Sequence, residues 1–288
     1  MLITVLFILI IVISILGWIF FTSKFDNFRK RMNFYYRDAP ANFFITGDKH
    51  RNFDKVKSFC RSMKTKRNDV LIILGDAGFN YYGDERDDSL KKEISKLNIT
   101  LFCIHGNKEN RPQNIGTYGI KNFCEGKVYY EPKYPNIYFA IDGEIYTFEG
   151  NKYIVVGGAH SVDKLRCLEK GTPFWDDEMP DITVKKLVET KLENEGNKIY
   201  GVLTHTCPID YIPTEMFVST RNNSNPRRKS RAKKFVPDID RSTECWLSEL
   251  EKKLDYEVWF CGHYHCDKQI DKIEMLFNDI RPLHFLNY

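Results

Sequence analysis

The chain has 288 residues, of which 42% are hydrophobic and 28% charged, and a formal net charge of +4. That content supports an ordinary globular core in one large domain or two small ones, and a charge so near balance does not by itself imply a nucleic-acid partner. The eight cysteines include no Cys-X-X-Cys pair, which argues against a disulfide framework and favours small buried thiols.

From Leu2 to Phe21 there is no charge, and only Thr4, Ser14 and Gly17 interrupt the apolar residues. As a helix this run spans roughly 30 Å, so residues 1–22 are expected to be a single transmembrane anchor. No basic segment precedes it and no small-residue cleavage site follows, as a cleaved signal peptide would need. Lys24, Arg29, Lys30 and Arg31 come next, and the positive-inside rule then places the rest of a single-pass cell-membrane protein in the cytoplasm. Residues 23–41, aromatic and basic, read as a juxtamembrane stalk, and residues 42–288 as the globular domain.

Five apolar runs in that domain each deliver polar residues. Phe43 to Thr46 leads into Gly47-Asp48-Lys49-His50, Val70 to Leu74 into Gly75-Asp76, and Ile99 to Ile104 into His105-Gly106-Asn107-Lys108-Glu109. Tyr200 to Leu203 leads into Thr204-His205, and Val258 to Phe260 into Cys261-Gly262-His263-Tyr264-His265. Such β-branched and aromatic runs read as buried strands. A lone Gly-Asp after a strand is ordinarily a turn or cap. In an open α/β sheet, however, sites gather beyond the carboxyl ends of strands, so five ends aim seven ligand-type side chains at one region. The His-X-His pair suits Zn, Fe or Mn. Cys261 and Cys266, which flank it, read as packing residues.

Between the runs, Val56, Phe59, Cys60 and Met63 have the spacing of one buried helix face, as do Thr243, Leu247, Leu250 and Leu254. Thr183 to Glu195 reads as a surface helix. Ile137 to Ile141, Glu144 to Phe148 and Tyr153 to Val156, with turn signals between them, predict an antiparallel meander. Lys272 to Phe277 and Leu283 to Leu286 predict a terminal hairpin. Arg221 to Lys234 holds seven basic residues and no acid, an insertion near the site mouth that would attract an anionic substrate, a nucleic acid or an acidic leaflet. Together the elements suggest two sheets packed face to face with helices outside.

Taken in order, Asp48-X-His50, Gly75-Asp76, Gly106-Asn107 with Glu109, Thr204-His205 and Gly262-His263-X-His265 resemble the calcineurin-like metallophosphoesterases. The match runs from about Phe43 to His265, and Gly106 to Pro112 is similar to the small bacterial and phage-type members. The resemblance implies an αββα two-sheet sandwich and a hydrolase of phosphomonoesters or phosphodiesters, with two divalent metal ions (Mn, Fe or Zn) activating a shared hydroxide. It implies that Asp48, His50 and His265 hold one metal, that Asn107, His205 and His263 hold the second, and that Asp76 bridges them. Two cations about 3.5 to 4 Å apart acidify a shared water and polarise the phosphoryl oxygens.

One position departs from the family pattern. A histidine normally follows the Asn ligand and serves the leaving oxygen, whereas here Lys108 follows it. A lysine ammonium is poorly matched to proton transfer at neutral pH, so Lys108 binds phosphate, acts as a weak acid or marks an impaired enzyme. His160, in Gly157-Gly158-Ala159-His160-Ser161, is the candidate substitute acid, and Arg111 the candidate phosphate clamp. The basic insertion favours a nucleotide or nucleic-acid ester. The competing reading is a catalytically weak, membrane-bound metal-binding receptor or scaffold.

Overall fold

Alternation within the apolar runs decides the layers. In a computed structural model, which describes residues 42–162, 164–217 and 239–284, Phe43 and Ile45 enter one core while Phe44 enters another. Successive residues of a strand face opposite sides of its sheet. The same split separates Ile72 from Leu71 and Ile73, Phe102 from Leu101 and Cys103, and Phe260 from Trp259 and Cys261. Burying each such large apolar side chain contributes about 1.5–3 kcal/mol. Both faces of these strands are covered, which is why they appear in the sequence as unbroken apolar runs.

The strands are β1 (Phe43–Thr46), β2 (Val70–Ile73), β3 (Thr100–Cys103), β4 (Gly119–Phe123), β5 (Gly126–Tyr130), β6 (Ile137–Ala140) and β7 (Ile145–Phe148). They continue with β8 (Asn151–Val156), β9 (Gly201–Thr204), β10 (Val258–Cys261), β11 (Lys268–Ile270), β12 (Ile273–Met275) and β13 (Arg281–Pro282). One sheet has the order β13-β1-β2-β3-β6-β5-β4, the other β11-β12-β10-β9-β8-β7. Within them, β1, β2, β3 and β6 run parallel, as do β8, β9, β10 and β12.

A shared core lies between the sheets, where Phe43, Ile45 and Phe102 meet Phe148, Val155, Leu203 and Phe260. The Asp54–Met63 and Glu85–Ile94 helices cover the first sheet's outer face through Val56, Cys60 and Ile94. The Ile182–Asn194 and Ser242–Glu251 helices cover the second through Val188, Leu192, Leu247 and Leu250.

Two expectations change. The meander does not form: β6 joins the first sheet between β3 and β5, and β7 pairs with β8 in the second. At the expected terminal hairpin, β12 pairs with β11 and β10 while β13 pairs with β1 in the other sheet, and residues 285–286 lie outside the described residues. The helix expected at the surface forms as Ile182–Asn194, with Ile182 and Leu187 exposed and only Val188 and Leu192 buried against the second sheet. All described residues belong to the unit that begins at Asn42, and none of their helices is long and apolar enough to cross a membrane. The expected anchor, the stalk and the Arg221 to Lys234 insertion lie outside the described residues.

Candidate metal centre

Parallel strands from both sheets end at one place, and close backbone approach lets their loops interlock. The Lys49 and His50 amides both donate to Asp76 O, at 3.1 and 2.7 Å, which locks the loops after β1 and β2 together. Gly75, at φ 100°, passes so near His205 that a Cβ would lie 2.0 Å from Nδ1, and a Cβ on Gly106 would lie 1.9 Å from Asp76 Oδ1. Only glycine permits either contact.

All seven expected ligand residues converge here. Asp48 accepts the His263 amide through Oδ1 at 2.8 Å. Its other oxygen, Oδ2, is buried without a well-formed hydrogen bond and lies 3.5 Å from His50 Nε2 and 3.3 Å from His265 Nε2. Those two imidazole nitrogens are 2.8 Å apart. Burial pushes the Asp48 carboxyl up, but His205, His265 and His50 outweigh it and hold the group well below the usual carboxylate range.

On the other side, Asn107 Oδ1 lies 2.8 Å from His205 Nε2 and 3.1 Å from His263 Nδ1. The orientation of that amide is fixed, because Asn107 Nδ2 donates to Ser161 Oγ at 2.6 Å while the serine hydroxyl donates to Asn107 O at 3.4 Å. His205 Nδ1 donates to Leu74 O at 2.8 Å, and its Nε2 faces Asn107 Oδ1. Burial, together with His205, pushes the His263 imidazole down to about 3, so its ring is neutral near pH 7, the form that binds metals.

Asp76 stands between these groups. Its Oδ1 accepts the Lys108 amide at 2.7 Å, and its Oδ2 lies 3.8 Å from His50 Nδ1 and 3.7 Å from His205 Nε2. Burial and the nearby Asp48 push its carboxyl up. Donor atoms of Asp48, His50 and His265 cluster within 4.8 Å, as do those of Asp48, Asp76 and His205, so Asp48 belongs to both clusters. The Asp76 Oδ2 oxygen faces one imidazole from each side, whereas that of Asp48 faces two from the same side.

The remaining expected residues fare differently. Lys108 lines a cleft of about 490 Å³ with His50, His265, Arg51, Gly78, Tyr81, Tyr82 and Cys167, and its Nζ is 4.0 Å from Cys167 Sγ. His160 is held with Nδ1 3.4 Å from the buried Glu178 carboxylate and does not line that cleft. Arg111 turns away from the role of phosphate clamp. It is buried, its Nη1 donates to Asp142 Oδ2 at 2.5 Å and its Nε to Asp177 O at 2.7 Å, because a buried guanidinium needs a paired carboxylate. Sequence reasoning missed Ser161, Cys167 and the Tyr81-Tyr82 pair; the only available signal was an aromatic pair in the loop after Gly75-Asp76.

A sequence model described as calcineurin-like phosphoesterase matches residues 41–267 of this chain. No curated protein matches it. One crystal structure covers 82% of this chain and 90% of its own at 14% identity, with a TM-score of 0.43, a likeness too slight to carry any argument.

Proposed function

This chain belongs to the calcineurin-like phosphoesterase family, and from that premise we propose that it hydrolyses phosphate esters at a dinuclear metal centre. Metal-dependent hydrolysis of phosphate esters is the family's general activity. The finer reading gives Asp48, His50 and His265 to one divalent ion, Asn107, His205 and His263 to the other, and Asp76 to both. The observation that carries it is Asn107 Oδ1, a fixed acceptor directed at the nitrogens of two imidazoles. Carboxylates, an amide oxygen and neutral imidazoles suit Mn, Fe or Zn. Bound divalent ions supply the positive charge that phosphoryl transfer to water requires.

The chain's own residues do the rest. Lys108 presents an ammonium to the same cleft as His50 and His265 and holds a phosphoryl oxygen there. His160, held by Glu178 away from that cleft, is not given the proton-donor role. Arg111 braces the scaffold through Asp142. The substrate is a phosphomonoester or phosphodiester, and the uncharged Leu2 to Phe21 run holds the enzyme at the membrane.

Stripping the protein with a chelator and adding Mn²⁺ back tests this reading. Turnover of bis(p-nitrophenyl) phosphate or p-nitrophenyl phosphate should return as two equivalents bind. Full activity at one equivalent would refute the dinuclear assignment, and two bound equivalents without turnover of either ester would favour a metal-binding receptor.

A further inference from the structure

The imidazoles that meet at the metal centre are not held alike. His205 is fully buried, and its Nδ1 donates to Leu74 O at 2.8 Å, the kind of second contact that ordinarily fixes the ring of a metal-binding histidine. The His265 side chain is 48% exposed. Its Nε2 faces Asp48 Oδ2 and His50 Nε2, and among the described residues no hydrogen bond reaches its Nδ1. An exposed side chain so held has other staggered rotamers open to it. A second ring supplies the restraint.

Phe277 stacks on the His265 imidazole, with centroids 4.7 Å apart and planes 17° from parallel, while His50 meets the same ring edge to face at 4.8 Å. Phe277 is itself fastened through its backbone. Its amide donates to Asp267 Oδ1 at 2.8 Å, and its carbonyl accepts the Nζ of buried Lys49 at 2.9 Å. The Asn278 and Asp279 amides also donate to Asp267 Oδ1, at 3.1 and 3.2 Å, and the Leu276 amide donates to Cys261 O at 2.8 Å. Lys49 lies between Asp48 and His50, and Asp267 follows His265 by two residues. The turn that carries the Phe277 ring is therefore tied to the loops that carry the ligand residues. Phe277 lies beyond the residues, 41–267, that match the family.

We propose that Phe277 is a positioning residue, which by stacking holds the His265 imidazole in the orientation that binds metal together with Asp48 and His50. The proposal rests on the metal-centre reading above and adds to it a residue outside the ligand set. A donor held in place before the metal arrives binds it at lower entropic cost. Without the Phe277 ring His265 is free to turn away, so one metal position weakens and the other does not.

Titrating Mn²⁺ into the metal-free full chain against a chelating dye reads the two positions separately. Phe277→Ala should weaken one of two equivalents about two- to tenfold, the factor that one aromatic pair is worth, and Phe277→Tyr, which keeps the ring, should bind as wild type does. In a His265→Ala background Phe277→Ala should cost nothing further, because residues that act through one another are not additive. A merely structural loss would appear in both backgrounds. Wild-type affinity in a folded Phe277→Ala, or an equal loss with and without His265, would overturn the proposal. Should melting of the metal-free protein show that Phe277→Ala does not fold, Phe277→Leu keeps the apolar bulk without the flat ring and should show the same loss; wild-type affinity there would be equally fatal. Failure of the dinuclear reading would show in wild type alone, as a single bound equivalent. If that equivalent depends on Phe277 only when His265 is present, the positioning role stands; if it is indifferent to Phe277, or if no metal binds, the role falls too.

Discussion

Ser161→Ala tests whether the second metal position depends on a hydroxyl that carries no motif. Asn107 Oδ1 faces the two imidazoles because Nδ2 is committed to Ser161 Oγ at 2.6 Å. Deleting that oxygen leaves a buried amide donor unsatisfied, at a cost of about 1–3 kcal/mol. It also frees the amide to turn and place Nδ2 where Oδ1 stood, replacing a ligand atom with a donor. Partners that orient ligands in this way are worth about 10–100-fold in metal affinity, or about 1.4–2.8 kcal/mol. Competition against a chelating dye should show one of two Mn²⁺ equivalents weakened by that factor and the other little changed, with turnover falling alongside the weakened site. Melting the metal-free protein separates this effect from folding. If Ser161→Ala binds both equivalents as wild type does, the fixed-amide account of the second position is wrong.

Replacing Arg111 with Leu should cost about 3–5 kcal/mol of stability, because it leaves Asp142 buried without its partner, and the Arg111→Leu, Asp142→Leu pair should recover part of that loss. A raised KM with unchanged melting temperature would restore the phosphate-clamp role. Lys108→His should raise kcat/KM for alkyl phosphodiesters by about 10²-fold or more and change aryl esters little, since general acid catalysis matters most for poor leaving groups; activity equal to wild type on both would point to another donor, and a loss on both would make the lysine a native catalytic or phosphate-binding group. The full chain should resist extraction from membranes by high salt, and removal of residues 1–22 should release a soluble enzyme. Extraction by salt alone would make it peripheral.

The strands that end at the site were legible because parallel strands covered on both faces show as continuous apolar runs. Strand partners were less so. Ile137–Ala140 and Ile145–Phe148 look alike in sequence yet belong to different sheets, since each is placed by distant neighbours rather than by the turn between them. The β4–β5 hairpin was hidden because its two-residue turn is Cys124-Glu125, both at positive φ, where asparagine and glycine are the usual signal. In the site, ligand residues announce themselves by type and position. Ser161 does not, because its role depends on a contact across 54 residues. Arg111 misled for the same reason, since the carboxylate that claims it lies 31 residues further along the chain.

Lysine at position 108 is compatible with an intact metal centre because the backbone and side chain of that residue do separate work. The backbone amide donates to Asp76 Oδ1 at 2.7 Å, so it orients the proposed bridge whatever side chain is attached. Only the side chain enters the cleft, beside Cys167. Exchanging the family's histidine for lysine therefore changes the group that meets the substrate and leaves the arrangement of donors alone. Metal affinity and turnover are thereby uncoupled at this residue. Lys108→His should leave Mn²⁺ stoichiometry and affinity within a few-fold of wild type even where it changes the rate by orders of magnitude, the opposite of what Ser161→Ala should do.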